Sequence, residues 1–557
     1  MTASAHYMKP TPVAKTASSK AEGARKRYVH VCQVSATPAR VTSWVYSEQG
    51  RRGLELPPQL TTDMLAVTLL LLAVVLVGVW RALGRRYWRL GDAIPGPRGL
   101  PLLGSALHIV VHAHDIMDYA REVRRRHGPV CRVWVGGHLL VLLTHPADVE
   151  AVLARTLSKA APYTLLRLLF GNAVFSAEGD AWRRLRRLMN PAFSQRLVDK
   201  HLPAFDARCR AMADDLRRLP AAQPFDVAHL ATACAFEMVV ETSLGVHADV
   251  LGNRDVMRSF TEFKEKFYRV LLQPWLWFTS TTFLLARYKE LGRPIRDFVD
   301  DVVALKLQSR FTSDGKEDNK TLEDGVENNG SFVDLMISAM DNKSEPLTLE
   351  DLRDQVLIVA VAGTDTSAFT VSCVLMLLGL HQEVQARVLR EQHRIFGEEV
   401  ERPTTPEDLK QMVYLEQVIN ETMRLYPPAP IVGRSLDQEV VVSGYTLPAG
   451  ATVVVPIYLV HRDPVHFPDP DTFDPERFSA DNCRGRPLCA FLPFATGRRA
   501  CIGKRYAYSA MKTMLSSVVR RFQVLEHGSR RDMERLQFQL LSKMVNGHYV
   551  RLKPRQW

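Results

Sequence analysis

Beyond residue 110, apolar positions recur at three- and four-residue spacing in stretches such as DIMDYAREVRRRHG (115–128), HLPAFDARCRAMADDLRRL (201–219) and LRDQVLIVAVAGTDTSAFTVSCVLMLLGLH (352–381). That period gives each segment one apolar stripe and predicts helices packed around a common core. CRVWVGGHLLVLLT (131–144) and EVVVSGYTLPAGATVVVPIYLV (439–460) break the pattern, with β-branched residues and turn glycines that predict short strands. The expected class is mainly α with small β-sheets. A third pattern is Met64–Trp80, seventeen residues without a charge. At about 1.5 Å per residue it is just long enough to span the core of a bilayer. Arg81, Arg85, Arg86 and Arg89 follow it, interleaved with Trp80, Tyr87 and Trp88. Basic flanks of this kind stay on the cytosolic side, so residues 64–83 read as a transmembrane signal anchor with the remaining chain in the cytosol.

Residues 84–104 form a basic, Pro- and Gly-rich hinge; within it AIPGPRGLPLLG (93–104) has three prolines and three glycines, which forbid a helix. Residues 105–557 then read as one large helical domain. Residues 1–63 lack apolar periodicity and are read as a disordered or non-native extension, with translation opening at Met64. The other reading is a basic mitochondrial presequence, since acidic residues there are sparse. The polar stretch 313–331 is expected to be a surface loop. QPWLWFTSTTFLL (273–285) is expected either to be buried or to make a second membrane contact. Sequons at Asn319, Asn329, Asn342 and Asn420 are idle in a cytosolic chain.

The formal net charge is +12, of which residues 1–63 carry +5. The remaining excess suits an acidic protein partner or an anionic membrane surface, and no motif reads a nucleic acid. None of the eight cysteines lies in a CxxC pair or a Cys/His cluster, so neither a zinc site nor a disulfide framework is indicated. Cys501, in FATGRRACIG, therefore needs its own explanation. Gly497 and Gly503 let the backbone approach a flat ligand, and the apolar run after Cys501 is expected to open a helix. A thiol at a helix N-terminus tends toward thiolate, hence a metal ligand or a nucleophile. No histidine partner stands in the loop, and Arg499 points to an anionic group on the ligand.

The pattern Phe494-x-x-Gly497-x-Arg499-x-Cys501-x-Gly503 resembles the heme-binding signature of the cytochrome P450 family. Its companions occur in family order: Trp182 and Arg186 as W-x-x-x-R, Ala362–Ser367 as AGTDTS, Glu421 and Arg424 as E-x-x-R, and Pro475–Phe478 as PERF. The resemblance runs from Met64 to the C-terminus and implies a cytochrome P450 fold behind a single transmembrane helix. It also implies heme b, with Cys501 as the axial iron ligand. Arg499, Trp182, Arg186 and Arg434 are then expected to hold the heme propionates, because guanidinium forks and an indole N–H suit carboxylates.

AGTDTS sits within an apolar helix, where Gly363, Asp365 and two hydroxyls are costly unless they meet a polar site. Thr366 is expected to bond or release the carbonyl of Ala362, opening the helix to water and oxygen, and Asp365 to help deliver protons. Glu421 and Arg424 are expected to pair, joined by Arg477, as scaffold behind the heme. The anchor and PGP hinge resemble membrane-bound eukaryotic members fed by NADPH–cytochrome P450 reductase and cytochrome b5, which implies the endoplasmic reticulum membrane. LRDQVLIVAVAGTDTSA and HRDP (461–464) look most like insect relatives of the fatty-acid hydroxylase group. Enzymes of that group often carry glutamate at the position of Ala362, able to esterify the heme, and alanine implies noncovalent heme. The implied reaction inserts one atom of O2 into a lipophilic molecule, with substrate contacts expected from residues 160–176, 260–285, the helix face before Thr364, and Pro427–Val432. The alternatives are a heme-thiolate isomerase or dehydratase, a ferredoxin-fed mitochondrial monooxygenase, and a non-catalytic heme-binding protein.

Overall fold

Thr348 opens the longest helix described, Leu349–Leu380, with a reciprocal cap: its hydroxyl accepts from the Asp351 N–H (3.0 Å) and Asp351 accepts from the Thr348 N–H (3.0 Å). This helix is apolar on nearly every face because others enclose it, among them Ala228–Val239, Arg293–Ser313, Val413–Leu425 and Lys504–Arg521. By length and composition it could cross a membrane, but it is mostly buried and is the central core helix. The helix Pro58–Leu83 differs, since none of its apolar window Ala66–Leu83 is buried. The computed structural model describes residues 58–112, 115–160, 162–247, 259, 261–262, 292–313, 331–341, 347–538 and 540–556. Residues 1–57, segment 273–285, most of 260–285, all but the ends of 313–331, and Asn319, Asn329 and Asn342 lie outside the described residues. Two units divide the chain, one ending at Val77 and the other spanning Gly78–Trp557.

The described strands are β1 (Val130–Val135), β2 (His138–Leu143), β3 (Pro224–Asp226), β4 (Val432–Ser435), β5 (Val440–Val442), β6 (Tyr445–Leu447), β7 (Thr452–Val455), β8 (Phe522–Leu525), β9 (Leu536–Phe538), β10 (Ser542–Met544) and β11 (Tyr549–Pro554). β1 and β2 form an antiparallel hairpin, β2 lies parallel to β7, and β7 antiparallel to β4 sets Arg434 opposite Val453. A second sheet runs β3, β11, β8, while β5–β6 and β9–β10 are separate pairs. The expected strand over 439–460 ends early: Pro456 removes a ladder donor, and Ile457–Val460 turns helical. Residues Arg85–Ala93 of the hinge are a short helix fastened to the first hairpin. Trp88 stacks on Trp134 at 4.4 Å, and the Trp134 indole donates to Asp92 (3.0 Å).

Gln385, buried, ties the core helix to β8. Its amide donates to the carbonyls of Leu378 (2.9 Å) and Val524 (2.8 Å), and its oxygen accepts from the Val524 N–H (2.9 Å). Gln382 also serves the Val524 carbonyl, at 3.0 Å, so Gln385→Leu leaves chiefly the Val524 N–H unanswered, together with the Arg555 guanidinium that donates to the Gln385 oxygen at 2.8 Å. The expected loss is about 2 kcal/mol in denaturant unfolding.

Candidate active site

The Cys501 loop is closed by the Cys501 N–H on the Phe494 carbonyl (2.9 Å) and the Ala500 N–H on that of Gly497 (3.0 Å). Gly497 has φ +73°, and a Cβ there would sit 2.3 Å from the Leu153 carbonyl oxygen, so glycine is obligatory. The following helix starts at Lys504 with Gly503 as its cap, slightly later than expected, and leaves Cys501 just ahead of the first turn. Burial pushes the Cys501 thiol up; the Gly503 N–H, Arg186 and Lys504 pull it down. Although enclosed by the fold, the Cys501 side chain remains exposed. Ala362 is likewise open, and Gly363, Asp365 and Thr366 half-buried, midway along the otherwise buried core helix. Open surface inside a packed core marks a cavity, and the loop's Phe494 and Ile502 pack on the same apolar cluster as this helix.

The AGTDTS turn and the residues just beyond it carry several hydroxyls bonded back along the helix. Thr366 donates to Ala362 (2.9 Å), Thr364 to Ala360 (2.7 Å), Thr370 to Thr366 (3.0 Å) and Ser372 to Ala368 (2.8 Å). Such bonds compete with the backbone ladder, so the Ala362 carbonyl has an alternative partner. Gly363 matters for packing, since a Cβ there would meet Val239 at 2.8 Å.

A cluster of cations lies beside the loop. Arg499 lies over the Trp182 ring at 4.2 Å and donates to the carbonyls of Leu157 (3.0 Å), Val174 (3.4 Å) and Ala177 (2.8 Å). Arg186 donates to the Ala500 carbonyl (2.8 Å), next to Cys501. Arg434 is 2% exposed, and its Nε finds no hydrogen-bond partner among the described residues. Lys159 pairs with Arg434 in an isolated bridge and lies over Phe175 (4.0 Å) and Tyr163 (4.6 Å). Burial, then Arg434 and Arg499, hold the Lys159 ammonium well below its ordinary value. Arg499 is pushed down to about 10 by burial and by Arg434, with Glu178 opposing. Gathering like charges in a core is costly unless an anion joins them. Phe494-x-x-Gly497-x-Arg499-x-Cys501-x-Gly503 identified Arg499 for this cluster, but no motif marks Lys159, a lone lysine in an apolar run.

Behind the loop, Glu421 and Arg424 are both fully buried and paired through two bonds of 2.6 and 2.8 Å. Arg424 also donates to the carbonyls of His461 (3.0 Å), Pro470 (2.6 Å) and Thr472 (3.1 Å). Arg477 stands 3.5 Å from Glu421, and the Asp474 N–H donates to the same carboxylate at 2.9 Å. Burial raises Glu421, while Arg424 and Arg477 draw it down. His461 passes this network on, because its Nε2 accepts from the Leu492 N–H (2.9 Å) in the stretch leading to Phe494. The motif HRDP named that histidine without revealing its task.

The family model for cytochrome P450 matches residues 94–550. The chain belongs to the cytochrome P450 family. Human cytochrome P450 4V2 is 31% identical over 483 residues, covering 84% of this chain and 91% of that protein. Cytochrome P450 4g1 of Drosophila melanogaster is 31% identical over 523 residues (87% and 93%), and cytochrome P450 4d2 of the same species 29% over 504 (87% and 98%). Members of this family are heme-thiolate monooxygenases, and this chain is such an oxidoreductase. The residues present fit a heme: an open thiol ahead of a helix, a cavity, and cations, buried at Arg434 and half-buried at Lys159 and Arg499, that outnumber the carboxylate acting on them, Glu178.

His461 is pushed down to about 3, first by burial and then by Arg424. The unfolded side chain titrates near 6.5, so stability present above that pH is lost as pH falls toward 3, by at most about 1.4 kcal/mol per unit. Calorimetry at pH 7 and pH 5 is expected to show a smaller drop in melting temperature for His461→Gln than for the unmodified protein. An equal drop would remove His461 from the acid response.

Proposed function

We propose that this cytochrome P450 is an NADPH-dependent monooxygenase inserting one atom of O2 into a lipophilic small molecule, endogenous or xenobiotic, through a heme ligated by Cys501. The observation that carries the reading is the gathering of Lys159, Arg434 and Arg499, opposed by Glu178, around the loop that bears the exposed Cys501, with Arg186 held on the Ala500 carbonyl beside it. When bound, the heme supplies the activation of O2, favoured by an axial thiolate. Arg186, Arg434, Arg499 and Trp182 would hold its propionates, with Lys159 a further partner. Phe494, Gly497 and Gly503 shape the loop, and the small Ala362 and Gly363 would leave room for the ring beside the core helix. Because Ala362 offers no carboxylate, the heme is noncovalent apart from the Cys501 bond.

Thr366 holds or releases the Ala362 carbonyl, and its hydroxyl positions water in the cavity; Asp365 carries a proton on its carboxylate toward that water. Glu421, Arg424 and Arg477 keep the loop in place through His461 and Leu492. The largely apolar stretches at 160–176 and Pro427–Val432 suit a lipophilic substrate. Electrons come from NADPH through NADPH–cytochrome P450 reductase, with cytochrome b5 as a second donor. Residues 64–83 anchor the chain in the endoplasmic reticulum membrane, residues 84–104 are the hinge, and residues 105–557 are the catalytic domain facing the cytosol. The unburied apolar window Ala66–Leu83 and the arginines that follow support this placement.

The reduced, carbon monoxide-treated protein is expected to give the red-shifted Soret band of thiolate-ligated heme, and Cys501→Ala to lose it. A folded wild-type protein without that band would sink the reading. Lys159→Met together with Arg434→Leu is expected to weaken heme retention about tenfold or more in a transfer assay to apomyoglobin, because two charge-assisted contacts are lost. Thr366→Ala should keep the heme, yet divert most NADPH electrons to hydrogen peroxide.

A further inference from the structure

His548 belongs to none of the family motifs, yet the fold seats it against the AGTDTS turn. Its ring meets Phe369 edge to face, centroids 5.5 Å apart, and Phe369 lies one turn beyond Asp365 on the same helix face. The seat is built into the backbone. The His548 N–H donates to Asp226 (3.2 Å), its carbonyl accepts from the Val227 N–H (3.0 Å), and β11 begins at Tyr549, opposite Asp226 in β3. Gly547, at φ +79°, makes the tight turn just before it; a Cβ there would meet Asp226 at 2.8 Å. Val545 and Asn546 of that turn are exposed, whereas His548 is 8% exposed. The chain thus passes from solvent to the core helix within three residues.

The imidazole is an odd choice for this position if it serves only as packing. Its Nε2 has no hydrogen-bond partner among the described residues, and an unanswered buried nitrogen costs about 1–3 kcal/mol that a Leu or Phe would not. The charged groups acting on it are Asp226 from β3 and Asp365 from the core helix. Burial holds the ring down to about 4 against the pull of both carboxylates, which keeps it neutral, with one protonated and one free nitrogen. A ring in that state can take a proton at one nitrogen and release one from the other.

We propose that His548 is a proton-positioning residue that passes protons from the exposed 545–547 turn to the carboxylate of Asp365. The proposal rests on the monooxygenase reading above. In each transfer one ring nitrogen binds a proton arriving from water at the turn, and the other releases its own to Asp365. The ring is left neutral as the opposite tautomer, and rotation of the imidazole, which carries its protonated nitrogen back toward Asp365, resets it without returning the delivered proton; no electron moves and no co-reactant is consumed.

The test uses the full heme-loaded chain with reductase, NADPH and a substrate that gives a spectral binding shift. His548→Gln, with His548→Phe as a second variant, is expected to raise hydrogen peroxide formed per NADPH about threefold or more and to enlarge the solvent deuterium isotope effect on product formation. The carbon monoxide band and the binding shift should stay unchanged. Independently of turnover, NMR of 13C-histidine-labelled, carbon monoxide-bound protein should show the His548 titration midpoint falling further in Asp365→Asn, since that carboxylate raises it. Unchanged peroxide yield and isotope effect with the band intact would overturn the proposal, as would an unmoved midpoint. Loss of the band in both His548 variants would assign the ring to packing and overturn it equally. Absence of the band in the unmodified chain would instead overturn the heme-thiolate reading and leave the midpoint shift to decide the His548–Asp365 pair.

Discussion

Arg424 and Glu421 are wholly shielded from water, and charges so placed persist only when every donor and acceptor is answered. Here the guanidinium is answered by one carboxylate and three backbone carbonyls, drawn from the segments that lead toward the Cys501 loop. The pair is therefore less a local bond than the point at which those segments are forced into register. His461 carries that register onward, because its carbonyl is held by Arg424 while its ring holds Leu492. Removing one partner of such a pair commonly costs about 3–5 kcal/mol, enough to consume much of a domain's net stability. The loop's geometry is thus set from behind, by residues that never meet substrate.

The core helix faces the opposite demand. It must be apolar enough to sit in the interior, yet interrupted enough to present a reactive face. Hydroxyls bonded one turn back let it do both, since Thr364 and Ser372 satisfy themselves within the helix and need no outside partner. Gly363 lets the helix lie against Val239, and Ala362 keeps a small profile where the cavity opens. An element that could have spanned a membrane becomes the axis of the catalytic body, while the other apolar helix remains exposed.

Much of this was legible in the linear chain because the informative contacts are local. The Cys501 loop, AGTDTS and E-x-x-R each hold their key residues within about one or two helical turns, so spacing and residue type already constrain the geometry. The mainly helical class with small sheets followed from periodicity. What stayed hidden depends on segments far apart in sequence. Lys159 becomes notable only when a strand pairing sets it beside Arg434, and His461 only when Leu492 folds onto it. The helical turn at Ile457–Val460 was hidden for a different reason: a β-branched run read as strand, but Pro456 outweighed it.

The like charges at Lys159, Arg434 and Arg499 give the chain a liability before it has done any chemistry. With heme as the proposed partner, these mutually repelling groups leave the fold short of its full stability until the dianion arrives, and ligand binding then lends its free energy to folding. On the proposed reading, porphyrin supply acts as a quality gate. Chains made in excess of it spend longer partly open, within reach of proteolysis, so the amount of enzyme in a cell follows the cofactor as closely as the message.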